Sequence, residues 1–204
     1  MSTSVPKLTY FNLAGRVFAL RVALFKAFGK DGWTDDRIEF TQWPELKPTM
    51  PLGSLPVLTL TDGRRVTQTD AMLRWAGRAA GLYPSSADEA LLVDEITFSV
   101  IDVLSKTPSA AGEEGKVKRT EYAESGLLFM VCTMLESKVG DDWLSPSGMS
   151  VADLSVTTLV DMIVTDDFTH VPPSYMDGFP KLKALGERVH KSELVTSYLG
   201  AYAN

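Results

Sequence analysis

The chain has 204 residues, 45% of them hydrophobic and 23% charged, enough apolar matter for one large or two small packed domains. Its net charge of −6 argues against a nucleic-acid binder, which presents a basic face. No apolar run approaches the roughly 18 residues of a membrane span, and with Cys132 as its single cysteine the chain forms no internal disulfide.

Strand and helix signals alternate over the first eighty residues. Lys7 to Phe11 (KLTYF) is short and β-prone. Gly15 to Phe28 is helical, with Val17, Leu20, Leu24 and Phe28 near helical spacing. Arg37 to Phe40 reads as a second strand and Thr41 to Ser54 as a proline-bearing loop. Pro56 to Leu60 and Arg64 to Thr67 flank Thr61-Asp62-Gly63, whose Asp-Gly pair marks a hairpin turn. Asp70 to Ala80 is helical again. Gly81 to Ala87, with Gly, Pro and two Ser, reads as a linker.

Beyond the linker the signals are helical. Leu128, Val131 and Leu135 share a face, as do Val156, Leu159, Val160 and Ile163, and then Leu182, Leu185 and Val189 behind Pro180, which suits a helix start. Ser150 and Asp153 form a capping box with Asp in place of Glu. Gly112 to Arg119, rich in charge and glycine, reads as a helix junction or a mobile loop. No phosphate cradle, dinucleotide fingerprint or nucleophile elbow is present. His170, His190 and Cys132 cannot supply a zinc-finger pattern, and no metal is expected. Met1 to Lys7 lacks a basic start followed by an apolar run, so a cytoplasmic location is expected.

Five segments, in order, carry a resemblance. They are KLTYFNLAGR (Lys7 to Arg16), QWPELKPTMPLGSLPVL (Gln42 to Leu58), TQTDAMLRWAGRAAGLY (Thr67 to Tyr83), LVDEI (Leu92 to Ile96) and SVADLSV (Ser150 to Val156). They resemble the cytosolic glutathione S-transferases of the tyrosine type, sigma-like with mu and pi features. The resemblance implies an α/β plus all-α fold: a thioredoxin-like domain over 1–81, a linker over 82–87 and a helical domain over 88–204.

The resemblance also implies roles. Tyr10, which by its strand position alone reads as β-prone core, would hydrogen-bond the glutathione sulfur and favour the thiolate. Arg16 would polarise the thiol or hold the tyrosine, its alternative being a solvated helix arginine. Trp43 and Lys47 would meet the glycine end of glutathione. Leu55 and a cis Pro56 would pair with the cysteinyl backbone. Gln68 and Thr69 would take the γ-glutamyl group, although the family carries Ser where this chain has Thr69, and Thr69 also suits a simple helix cap. Asp102 would reach the partner subunit's site, which implies a homodimer.

The second substrate, a small hydrophobic electrophile, would lie near Phe11, Leu13, Ser105 and Ser109, where many relatives carry an aromatic in place of the Ser, Lys, Thr and Pro found here. Asp153 would cap a helix, and Cys132 would be a buried structural thiol. Of the aspartate cluster that binds a divalent ion in sigma-like isomerases, Asp94 and Asp102 remain, but Phe98 and Ile101 stand at neighbouring positions. Three functions stay open. One is a detoxifying transferase that uses glutathione as co-substrate, without metal, and has peroxidase side activity. The others are a non-catalytic binder on the same fold and a glutathione-dependent isomerase.

Overall fold

The computed structural model describes residues 5–202. Met1–Ser4 and Ala203–Asn204, which belong to the ends of the two expected domains, lie outside the described residues. The chain opens with strand β1 (Lys7–Phe11), a 3-10 turn at Gly15–Val17 and helix α1 (Phe18–Phe28). Strand β2 (Thr34–Ile38) follows, then short helical turns that include α2 (Trp43–Leu46), strands β3 (Val57–Thr59) and β4 (Arg65–Val66), and helix α3 (Thr69–Ala80). The strands form one mixed sheet in the order β2-β1-β3-β4, with β1 parallel to β2 and antiparallel to β3. β1 is an inner strand covered on both faces, as the burial of consecutive Leu8, Thr9 and Tyr10 shows.

Two segments differ from the sequence reading. The second strand lies at Thr34–Ile38 rather than Arg37 to Phe40. Its sequence, TDDRI, is poor in β-formers, but pairing to β1 gives its acids partners: Asp35 meets Arg21, and Asp36 accepts from the Thr9 hydroxyl at 2.8 Å. Tertiary contacts thus override local propensity. The segment from Thr41 to Ser54 is a run of short helical turns, because Pro44, Pro48 and Pro51 each stand in a first turn, where a missing N–H costs nothing.

The remainder is helical: α4 (Ala87–Lys106), α5 (Gly112–Glu124), α6 (Leu127–Lys138), α7 (Val151–Val164), a 3-10 turn at Pro173–Gly178, α8 (Pro180–Lys191) and α9 (Glu193–Tyr202). The charged stretch from Gly112 to Arg119 is therefore the first half of α5, neither junction nor loop. Helix α7 is the axis of this part. Every residue from Val151 to Val160 is buried: the apolar side chains pack in the core, and the Thr157 and Thr158 hydroxyls donate back to the carbonyls of Asp153 and Leu154.

The start of α7 is fixed by the Ser150–Asp153 capping box. Asp153, fully buried, accepts from the amides of Leu144 and Ser150 at 2.8 Å each and from the Ser150 hydroxyl at 2.9 Å. Where α3 meets α7, Gly77 allows the close approach: a Cβ there would lie 2.7 Å from a Val151 methyl. One continuous apolar core runs from Leu8 and Leu20 through Leu154 and Leu159 to Val195.

Candidate active site

The site starts from the C-terminal end of β1. Arg21, in the middle of the apolar α1, is only 2% exposed and pairs with Asp35 at 3.0 Å. Its other donors go to the carbonyls of Phe11 and Leu13, so a buried guanidinium holds the loop that leaves β1. Its cationic carbon stands 5.9 Å from the centre of the Tyr10 ring.

Tyr10 is itself buried, and the chain turns back over it. Gly15 has φ +42, and a Cβ there would lie 2.4 Å from a Leu13 methyl and 3.1 Å from the Tyr10 hydroxyl. A side chain is excluded at that point, and the amide and guanidinium of Arg16 face the tyrosine hydroxyl instead. Burial pushes the Tyr10 phenol up from its ordinary value, and the nearby charge and hydrogen bonds of Arg16, with the charge of Arg21, pull against that push without overcoming it. The phenol therefore keeps its proton at neutral pH and is a hydrogen-bond donor beside a cation.

Next to this hydroxyl opens a cavity of about 280 Å³. Tyr10, Leu13, Gly15 and Arg16 line it from the N-terminal part of the chain, and Leu104, Thr107, Arg119, Met162, Asp167 and Phe168 from the helical part.

The register of the sheet brings a second group to the same edge. Thr9 pairs with Val57 and Val66 with Leu58; Tyr10 follows Thr9 on β1, Pro56 directly precedes β3 and Gln68 follows β4 by two residues, so the three lie toward the same edge of the sheet. The Leu55–Pro56 peptide bond is cis, as the resemblance implies. Gln68 has φ +72, a left-handed conformation that a non-glycine residue adopts at a cost, and it stands at the N-cap of α3. Thr69, 9% exposed, is the first residue of α3 and makes no capping bond. Trp43 packs its edge on Phe11, with ring centres 5.7 Å apart. Lys47 is exposed one helical turn further on. Among the described residues, the side chains of Lys47, Gln68 and Thr69 have no hydrogen-bond or ion-pair partner.

Comparison with known proteins identifies the family. The family model for the glutathione S-transferase C-terminal domain matches residues 93–201. The class-mu 28 kDa glutathione S-transferase of Schistosoma japonicum is 31% identical over 176 residues, 81% of this chain and 80% of that protein. The chain belongs to the glutathione S-transferase family. Hematopoietic prostaglandin D synthase of Gallus gallus is 29% identical across 95% of this transferase and 94% of its own length. A solved structure of prostaglandin synthase D from Nilaparvata lugens superposes with a TM-score of 0.79 at 25% identity, covering 98% of this chain and all of that one.

The remaining residues of interest fall in different places. Of the four named for the second substrate, Leu13 lines the cavity. Phe11 instead stacks on Phe40, ring centres 4.4 Å apart, in the cluster with Trp43. Ser105 is exposed on α4 and Ser109 accepts from the Ala111 amide, while their neighbours Leu104 and Thr107 face the cavity. Asp102 is exposed on α4 and pairs with Lys106 at 2.7 Å. Asp94 takes Arg74 and the Tyr83 hydroxyl. Cys132 is fully buried in α6, its thiol pushed up to about 12 by burial and by Glu136, which makes it inert. His170 meets the Ala110 carbonyl, and His190 meets Asp161.

Sequence reasoning missed three charged residues of this region. Arg21 interrupts an apolar helix stripe, a readable sign of a buried ion pair. Asp70, after Thr69, resembles an ordinary acid in a first helical turn. In the structure its carboxyl rises to about 6, chiefly from burial, with Arg74 opposing and Asp94 and Asp102 adding, and its Oδ1 has no hydrogen-bond partner. Arg119 lies on a helix that the sequence reading left undefined, so nothing pointed to it.

Proposed function

We propose that this transferase activates the glutathione thiol through the Tyr10 hydroxyl and conjugates the resulting thiolate to small electrophiles. The observation that supports this best is the buried Tyr10 hydroxyl, kept protonated and facing Arg16 at the rim of the cavity. A free thiol has a pKa of about 8.5, so little thiolate exists at neutral pH. A donor aimed at the sulfur, beside a guanidinium, favours the charged form. The thiolate then attacks the electrophilic carbon of a substrate held in the cavity. The same thiolate serves a peroxidase side activity toward organic hydroperoxides.

In this reading Lys47 neutralises the glycine carboxylate and Trp43 packs beside it. The backbone of Leu55, ahead of Pro56, pairs with the cysteinyl unit as an added strand. Gln68 and the Thr69 hydroxyl, at the N-terminus of α3, take the γ-glutamyl carboxylate, which the helix dipole favours. Asp102 completes the site of a second copy, and the working form is a cytoplasmic homodimer. Sedimentation at micromolar concentration should give a dimer; a monomer that is fully active removes this role for Asp102.

The direct test is conjugation of glutathione to a chlorodinitrobenzene by wild type and Tyr10→Phe. The expected result is a fall in kcat of roughly a hundredfold to a thousandfold, the range for loss of one positioned donor to a developing charge, with glutathione still bound. Equal rates would remove Tyr10 as the activator and direct attention to Arg16. The identity to a prostaglandin synthase along most of the chain favours a second reading, glutathione-dependent isomerisation of an endoperoxide. Turnover of an endoperoxide with the glutathione recovered unchanged would select it.

A further inference from the structure

The cavity beside Tyr10 carries a charge that thiol activation does not use. Arg119 enters from α5, half-buried, and lines the same cavity as the tyrosine. Its Nε donates to the Pro108 carbonyl at 2.5 Å and one Nη to the Thr169 carbonyl at 3.3 Å, and its guanidinium carbon lies 5.0 Å from the centre of the Phe168 ring. These contacts fix the plane of the group. They also leave most of its N–H donors without a partner, since a guanidinium has five.

No carboxylate neutralises Arg119 among the described residues. Asp167 lines the same cavity, but it takes the Thr165 hydroxyl at 2.7 Å and forms no ion pair with the arginine. Arg16 is turned to Tyr10, and the cavity holds two guanidinium groups against one carboxylate on a protein whose net charge is −6. Burial disfavours the charged form of Arg119, with no acid beside it to compensate. A planar fork with free donors at the wall of a partly apolar cavity suits a carboxylate, which it can bind by two parallel hydrogen bonds.

We infer that the second substrate of this enzyme is an electrophile bearing a carboxylate, which Arg119 binds while the electrophilic carbon faces the thiolate at Tyr10. The inference rests on the transferase reading above. For an aryl halide of this class the step balances without a further reagent. The thiolate sulfur forms a bond to the ring carbon that carries chlorine, and the ring and its nitro groups hold the incoming electron pair. Chloride then leaves with the C–Cl pair, and the proton released by the thiol passes to solvent.

The test compares one matched pair of compounds, a chlorodinitrobenzoate and its neutral carboxamide. Values of kcat/KM for each are divided by the uncatalysed rate with glutathione. Wild type should prefer the carboxylate, and Arg119→Gln should lose roughly tenfold to a hundredfold of that preference. Arg119→Lys, which keeps the charge but not the fork, should keep part of it. Taking the ratio within each protein separates specificity from any loss of fold caused by freeing Pro108 and Thr169.

Calorimetric titration of the chlorine-free dinitrobenzoate and dinitrobenzamide reads the same preference without turnover. A wild type that binds both equally, or a ratio unchanged in Arg119→Gln, overturns the inference. Failure of Tyr10 to matter with the neutral carboxamide overturns the activation reading instead, whatever the ratio shows.

Discussion

The edge of the sheet and the cap of α7 treat polar groups in opposite ways. At the cap, Asp153 is fully buried and each of its oxygens accepts from a named donor, two amides and one hydroxyl in all. At the sheet edge, Lys47, Gln68 and Thr69 have no partner among the described residues, and Gln68 sits in a costly left-handed conformation. Folding alone accounts for the first arrangement. At the second, Lys47 and Gln68 are exposed and hydrated, so the cost lies in the backbone conformation of Gln68 and in the unpartnered hydroxyl of buried Thr69, which no contact inside the chain offsets.

The sharpest way to break this contrast is to remove Asp153. Asp153→Ala leaves the Leu144 and Ser150 amides and the Ser150 hydroxyl without their acceptor in a buried place. A loss of about 3–5 kcal/mol in urea unfolding is expected, from about 1–3 kcal/mol for each buried group left unpaired. A loss under 1 kcal/mol would mean that the cap is ornamental.

Thr69→Val is the matching change at the sheet edge, similar in shape but without the hydroxyl. It should move stability by no more than about 0.5 kcal/mol, yet weaken glutathione binding roughly tenfold, as loss of a hydrogen bond to a carboxylate does. Titration calorimetry with glutathione decides. If stability falls and affinity holds, Thr69 belongs with the structural groups.

Asp70, next to Thr69 in the first turn of α3, gives the smallest effect. Its folded pKa of about 6 lies above its ordinary 3.8, so the folded chain binds this proton more tightly than the unfolded one. Its contribution is therefore most favourable at low pH and declines as pH rises from about 4 through about 6. Arg74 opposes that decline, while Asp94 and Asp102 on α4 deepen it. Asp70→Asn should stabilise the protein at neutral pH by about 1 kcal/mol, discounted for partial exposure, and flatten the dependence across that window. A variant less stable than wild type at neutral pH would show that Asp70 is held by favourable contacts.

Much of this was legible in the residues. The order of strands and helices, the Asp-Gly hairpin and the Ser150–Asp153 cap follow from period and turn chemistry. The segments around Tyr10, Pro56 and Gln68 are marked in the sequence, and the sheet register shows that they lie toward one edge. What escaped depends on contacts distant in sequence. The strand TDDRI is stable because Asp35 finds Arg21 and Asp36 finds Thr9, partners no local pattern names. The helical lining of the Tyr10 cavity comes from α4, α5 and the end of α7, whose packing decides that Leu104, Thr107 and Arg119 line it while Ser105 and Ser109 do not.

The central claim, that Tyr10 lowers the pKa of bound glutathione, is tested most directly by titrating the thiolate absorbance of glutathione on wild type and on Tyr10→Phe. In wild type the bound thiol should ionise roughly 1–2 units below the free value of about 8.5, and in the variant it should return most of the way. The same pKa in both proteins would contradict the account and leave Arg16, with the helix N-terminus at Thr69, as the source of activation.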